Sequence, residues 1–307
     1  MSDLTASVII PHYRSNKSLM KCLVALSKQN IPAKKFEVIV VQNEEASLEL
    51  NAPPLLNVKI IYEPKPGSYR ARNKGAEASK GEYLFFTDSD CAPIESWISN
   101  GLYELKQGHK IIGGNIELRF SNPSSPRAIE LYERVFYFNQ KVSLKYDQYA
   151  ATANLLIEKK TFYQVGKFDV SLMSGGDREW GRRAHKKGYA ILFAPHINVH
   201  HPTRTSFIES LRRRVRVFSN DLYIRIRKFG LTPDGKKVLK EKLLSTPDQN
   251  HWAADWDFYE SLSKKQKKKV LRIHALFSRL DCIILTLGSF NYKFLKALTY
   301  IDRLRLK

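Results

Sequence analysis

Apolar positions along the chain change period several times, and the changes predict the elements. Residues 6–11 (ASVIIP) form a short β-branched run, and "SLMKCLVALSKQ" behind it sets Leu19, Leu23 and Leu26 at helical spacing. "FEVIVV" (36–41) is apolar without interruption, the pattern of a strand covered on both faces in a parallel sheet. "NVKIIY" (57–62) predicts a third strand, "SYRARNKGAEASKG" (68–81) a helix with a glycine stop, and "EYLFFT" a fourth strand. Strands alternating with helices at this pace predict a doubly wound α/β unit, in which ligands bind beyond the carboxyl ends of the strands.

The next stretch is more mixed. "HKIIGGNIELRF" (109–120) reads as a strand broken by paired glycines, and "SPRAIELYERVFYFNQ" as a helix with an aromatic face. "ATANLLIEKKTFYQVGKFD" reads as strand, helix and glycine turn; "GDREWGRRAHKKG" is a helix with acids first and bases last, as the helix dipole prefers. "YAILFAP" and "INVHHP" predict two short strands. In "FIESLRRRVRVFSNDLYIRIRKF" (207–229), Leu211, Val215, Phe218, Leu222, Ile226 and Phe229 make one helical seam, with Arg212, Arg213, Arg216, Arg225 and Arg227 mostly elsewhere. "KKQKKKVLRIHALFSRLDCIIL" (264–285) repeats the theme with Ile273, Leu276, Leu280 and Ile284 as its apolar set.

Charge adds a division that periodicity does not. Of the formal net charge of +21, residues 201–307 carry +14, from 24 Lys/Arg against 10 Asp/Glu, and the first 200 only +7. The expected organisation is one nearly balanced domain over residues 1–205 and a basic, mainly helical region over 206–307. Such an appendage implies an anionic partner, nucleic acid or an acidic membrane surface. For the membrane, the helices would turn their arginines outward and lie on anionic lipid. The same seams would equally serve to pack on the rest of the protein. No apolar run approaches the ~20 residues of a membrane span, and "MSDLTASVIIPHYR" reads as a first strand rather than a signal peptide. Three scattered cysteines suggest neither a disulfide framework nor a zinc site, and a cytoplasmic location follows as the expectation.

Three motifs carry candidate chemistry. Asp88 and Asp90, one residue apart after an apolar strand, can present oxygens to one Mg²⁺ or Mn²⁺ whose open positions take the diphosphate of a nucleotide. A turn leading into a helix N-cap uses the same residue types. Asp177 follows two glycines and opens a helix, where a carboxylate can act as general base toward a hydroxyl or simply complement the dipole. "VHHP" sets His200 and His201 at a strand end, facing opposite ways if the strand continues.

In order and spacing, "SVIIPHYRSNKSLMKCLVALSKQ", "FEVIVVQN", "ARNKGAEASKGEYLFFTDSD", "TANLLIEKKTFYQVGKFD", "SGGDREWGRRAHKKG" and "VHHP" resemble the inverting GT-A glycosyltransferases of family 2, across roughly residues 6–205. The resemblance implies a GT-A fold, a Rossmann-like mixed sheet flanked by helices, here with a C-terminal basic helical extension. It implies that Pro11 and Tyr13 hold the nucleotide base, and that Arg72 and Asn73 lie near the nucleotide and its phosphates. It further implies that Asp88 and Asp90 form the metal and diphosphate motif, with Asp90 the direct ligand, and that Asp177 is the base. Glu179 and Arg183 match companions on the Asp177 helix. His201 matches a further diphosphate or metal contact, with His200 the alternative.

Two departures bear on the reading. Where the family has a base-reading Asp after the second strand, this chain has Gln42, which can both accept from and donate to a uracil edge, so a uridine donor is expected. No acid precedes Asp177. The expected activity is metal-dependent transfer of a hexosyl or N-acetylhexosaminyl group from a nucleotide-sugar to a glycan or lipid-linked glycan. Its expected setting is bacterial surface polysaccharide synthesis at the inner face of the plasma membrane. A sugar nucleotidyltransferase would show a Gly- and Lys-rich loop after the first strand, which "PHYRSNKS" is not. A nucleic-acid-binding protein would leave the acidic motifs unexplained.

Overall fold

The computed structural model describes residues 4–44, 52–229 and 254–288, with side chains through 224 and 284 in the last two stretches. These fall into two compact units: residues 1–119, 138–171 and 176–202, and residues 120–137, 172–175 and 203–307.

The first unit is built on one sheet. Its strands are β1 (Ala6–His12), β2 (Phe36–Gln42), β3 (Val58–Tyr62), β4 (Tyr83–Thr87), β5 (Ala92–Pro93), β6 (Ile111–Arg119), β7 (Asn154–Glu158) and β8 (Leu192–Pro202). Among the described residues the order is β3-β2-β1-β4-β7-β6-β8-β5. The β3-β2-β1-β4 half is parallel, and β7 then runs antiparallel to both β4 and β6. All seven residues of β2 are buried, which is why its apolar run has no alternation.

Helices cover this sheet: α1 (Asn16–Ser27), α2 (Ser68–Ala78) and α3 (Trp97–Lys106), followed in the chain, after a helix of the second unit, by α5 (Gln140–Asp147), α6 (Lys159–Val165) and α7 (Gly176–Lys186). Leu19, Leu23 and Leu26 of α1 join Val8, Ile10, Val38 and Phe85 in the core. Each such aliphatic side chain contributes roughly 1.5–3 kcal/mol by leaving water. Residues 189–202, expected as two short strands, contain the single strand β8, whose register against β6 shifts between Gly114 and Asn115. The Asn154 amide fills the break, donating to the carbonyls of Asn115 and Ile197 at 2.7 and 2.8 Å.

The second unit is helical in its described part: α4 (Ala128–Phe136), α8 (Phe207–Phe229), α9 (Trp256–Ser261) and α10 (Lys264–Gly288). The helix expected over 125–140 stops at Phe136, and α5 begins after Phe138, a residue at φ 57°. Tyr132, Val135 and Phe136 of α4 pack with Val270 and Phe277 of α10. The buried stripe of α10 is therefore Val270, Phe277 and Ile284, with Ile273 and Leu280 half-buried, while Leu276, expected inside, is 51% exposed. The steps 270, 273, 277, 280, 284 follow one helical stripe, and 276 falls about 80° to one side of its centre.

The arginines of α8 also differ from expectation. Arg213 is buried, its guanidinium 3.7 Å from the Tyr137 ring centroid and 3.5 Å from the Glu133 carboxylate. Glu133 also takes the Ser210 hydroxyl at 2.7 Å and Arg204 at 3.3 Å. Burial alone would push the Glu133 carboxyl up, but the Arg213 and Arg204 guanidiniums and the Ser210 hydroxyl outweigh it and hold it low. Arg214 is buried as well and donates from Nε to Asp281 of α10 at 3.0 Å. A buried carboxylate needs such partners, so these arginines are drawn inward rather than left to solvent. Arg225, Arg227, Ile226 and Phe229 lie outside the described side chains, and residues 245–253 of the acidic, aromatic stretch 245–265 lie outside the described residues.

Candidate active site

The parallel strands deliver the candidate residues from their carboxyl ends. Strand β1 places Pro11 beside Val41 and His12 beside Gln42, so Tyr13 and Gln42 emerge from neighbouring strands. Tyr13 is half-buried, with the Arg14 guanidinium 4.6 Å from its ring centroid. Arg14 sits at φ 67°, and its N–H donates to the Glu44 carboxylate at 2.9 Å, which holds the turn behind Tyr13. Gln42 itself is buried.

Strand β4 ends at Thr87, and Asp88 and Asp90 follow in the turn. After Cys91 comes β5, which pairs antiparallel with β8, Ala92 opposite His200 and Pro93 opposite Val199. That pairing sets the turn against the end of β8. Side chains alternate along a strand, so only one of the two histidines can face the turn. It is His201, whose Nε2 lies 3.5 Å from Asp90 Oδ1. His200 points the other way, 3.3 Å from Glu117 and 2.8 Å from Arg119.

Asp90 and His201 fit a divalent cation. His201 Nδ1 lies 2.7 Å from the Pro202 carbonyl, which can only accept, so the proton of the neutral ring is on Nδ1. Nε2 then turns a lone pair toward the Asp90 carboxylate, and two acceptors in contact need a cation or a proton between them. Phe138 packs its ring 4.7 Å from the imidazole and limits its rotation. Cys91 completes a cluster with these two residues. Burial first, then Asp90 and Asp88, raise its thiol far above the ordinary range in the absence of an ion, while Asp90 and His201 offer a carboxylate oxygen and an imidazole nitrogen. That set suits Mn²⁺ or Mg²⁺ better than a thiolate-seeking metal.

Helix α2 ties the two acidic motifs together. Arg72, buried, donates to Asp88, and its Nε has no partner among the described residues. One turn earlier on the same face, the Tyr69 hydroxyl donates to Asp177 Oδ1 at 3.1 Å. Asp177 also accepts from its neighbour Arg178 N–H at 2.9 Å and, on Oδ2, from Thr152 N–H at 3.4 Å. Burial, then the Asp177 carboxylate, push the Tyr69 phenol well above its ordinary range, so it stays a donor.

Tyr69 was not singled out in the sequence, though its place three residues before Arg72 in "SYRARN" is a signal. Its approach explains Gly176: a Cβ there would stand 2.7 Å from the Tyr69 ring. Asn73 stands apart from this group. Its amide takes the Phe168 N–H at 3.0 Å and gives to the Phe168 carbonyl at 2.9 Å, locking α2 to the loop after α6. Glu179 pairs with Arg183 at 2.9 Å, and Arg183 caps the last carbonyls of α6.

A parallel half-sheet with an acid pair after its fourth strand, a metal-competent histidine at the far strand and a buttressed carboxylate opening a helix defines a nucleotide-sugar transferase fold. The fold is GT-A. The chain aligns with Staphylococcus aureus TarS in complex with UDP-GlcNAc over 97% of its length and 89% of that chain, at 17% identity and TM-score 0.55. With the mannosyltransferase PcManGT of Pyrobaculum calidifontis, in complex with GDP-Man and Mn²⁺, the figures are 97% and 85%, 15% identity and TM-score 0.55.

In sequence, residues 7–166 match the model of glycosyl transferase family 2. The glycosyltransferase AglE of Haloferax volcanii is 35% identical over 225 residues, covering 71% of this chain and 73% of its own. The chain belongs to glycosyl transferase family 2 and is a glycosyltransferase.

Proposed function

We propose that the protein is a metal-dependent inverting enzyme that moves a hexosyl or N-acetylhexosaminyl group from a UDP-sugar to a hydroxyl of a glycan or lipid-linked glycan. In this reading residues 1–205 form the catalytic region and 206–307 an appended basic region. The observation that carries it is the single turn of α2 from which Tyr69 holds Asp177 and Arg72 holds Asp88. Asp177 takes the proton of the acceptor hydroxyl as that oxygen attacks the anomeric carbon. The bond from that carbon to the diphosphate breaks on the opposite face, so one displacement inverts the configuration. Arg72 lies against the diphosphate, and Asp88 orients Arg72. Pro11, Tyr13 and Gln42 frame the base, and Asn73 acts by holding α2 in place. Asp90 and His201 would hold the divalent ion, which when bound stabilises the charge that grows on the leaving nucleoside diphosphate.

The setting proposed is assembly of a surface polysaccharide on the inner face of a bacterial membrane, with the enzyme peripheral to it. TarS, named a poly(ribitol-phosphate) β-N-acetylglucosaminyltransferase, supports a polymeric acceptor. Among the described residues no helix is long and apolar enough to cross a membrane.

A guanosine donor is the second reading. Glu44 puts a charged acceptor beside the Tyr13 turn, the kind of group a guanine edge prefers, and PcManGT binds GDP-Man. Thermal shifts with UDP, GDP and CDP, each with Mn²⁺, separate the two, because a bound ligand must raise the melting temperature. UDP should give the larger shift, and a clear GDP preference would replace the donor while leaving the chemistry standing. Asp90→Asn should abolish turnover with the fold intact. Near-normal rates in excess EDTA would end the metal reading.

A further inference from the structure

Helix α10 exposes a face that the catalytic reading does not use. Between Lys264 and Arg279 the sequence has no acid. Lys264, Lys265, Lys268, Lys269, Arg272 and Arg279 are all exposed. Leu271, Leu276 and Ile283 stand among them, 48, 51 and 55% exposed. At 3.6 residues per turn these positions fall within one arc of about 160°. The opposite arc holds Val270, Phe277 and Ile284, packed within the second unit. Arg214 of α8 grips Asp281 on the buried side, which fixes the rotation of α10 and keeps the basic arc outward. A shallow groove lined by Lys264, Lys268, Leu271, Arg272 and Ala275 runs along it.

We infer that this face of α10 docks on an anionic lipid bilayer, with the cations against the headgroups and the three aliphatic side chains at the acyl boundary. Cations interspersed with large apolar residues on one exposed helical arc suit an interface whose outer layer is negative and whose inner layer is oily. Nucleic acid offers the negative layer only. It would leave Leu271, Leu276 and Ile283 in water, and among the residues of this arc none is an aromatic to stack on a base. The inference gives the peripheral placement proposed above a specific surface, and it differs from the arginine face of α8, where Arg213 and Arg214 are buried. It does not depend on the roles of Asp90 or Asp177.

The test is co-sedimentation of the full chain with vesicles of phosphatidylcholine alone or mixed equally with phosphatidylglycerol. Binding should require the anionic lipid and weaken as salt shortens the reach of each contact. Lys268→Gln, Arg272→Gln and Arg279→Gln should each lower the partition about fivefold, and together roughly a hundredfold. The melting temperature and donor hydrolysis in solution should be unchanged, because all three side chains face water. Leu271→Ser with Leu276→Ser should weaken vesicle binding while its salt dependence persists. Binding that is indifferent to lipid charge, or intact in the triple variant, would overturn the inference. So would duplex nucleic acid binding as strongly as the vesicles and unaffected by the leucine changes. Loss of donor hydrolysis by wild-type protein that still binds vesicles would count against the catalytic proposal alone.

Discussion

Replacing Asp177 with Asn keeps the shape of the side chain and removes its capacity to take a proton. The structure sets the scale of the two effects. Oδ1 can still accept from Tyr69 and Arg178, at 3.1 and 2.9 Å. The new amide nitrogen meets the Thr152 N–H, whose bond was already long at 3.4 Å. Losing that contact costs about 1 kcal/mol, and turning charge-assisted bonds into neutral ones adds roughly as much again. A loss of about 2 kcal/mol lowers the melting temperature by roughly 3 °C in a chain of 307 residues. Loss of the general base costs ~10²–10⁴ in rate, or about 3–5 kcal/mol on the barrier.

The assay therefore has two arms. Initial rates of sugar transfer at saturating donor should fall by at least a hundredfold. The thermal shift produced by UDP with Mn²⁺ should match that of the wild type. Tyr69→Phe should give an intermediate rate, since it removes one donor but leaves the carboxylate. Transfer within about tenfold of wild type in Asp177→Asn would refute the base assignment. Normal transfer with weakened donor binding would make Asp177 a nucleotide-site residue instead.

Gly176→Ala should lower transfer on the order of tenfold with little change in donor KM, because its Cβ would displace the Tyr69 ring from 2.7 Å and break the contact to Asp177; equal rates for the alanine variant would show that Tyr69 does not position the base. Glu133 makes a prediction about acid stability. Its folded pKa lies below the ordinary value of 4.5, so its contribution is complete above that value and is lost as pH falls through the lower, folded one. Glu133→Gln should be less stable near neutrality and should show a flatter fall in melting temperature below about pH 4.5; a parallel acid limb in both proteins would mean that other carboxylates dominate it.

Local pattern and tertiary contact divided the work along a clear line. Uninterrupted apolar runs marked β1, β2 and β4, because a strand covered on both faces has no polar side to display. Acids at a strand end and at a helix start stood out for the opposite reason, being costly to place there without a task. Sequence also put His200 and His201 on opposite faces, since that follows from the period of two alone. Which face meets Asp90 was decided by the pairing of β5 with β8, a contact more than a hundred residues apart in the chain. Tyr69 escaped notice because its partner Asp177 is 108 positions away and nothing local announces it.

The basic helices carry the same lesson. Spacing identified an apolar stripe on α8 and on α10, but the identity of the covered side depends on what packs there. On α8, Glu133 and Asp281 drew Arg213 and Arg214 inside, since a buried carboxylate is stable only with a cation beside it. On α10, packing took up Val270 and Phe277 and left Leu276 among the lysines. A sequence sets which residues of a helix share a side. Only the neighbouring elements, through the area they cover and the charges they must neutralise, choose the side that faces water.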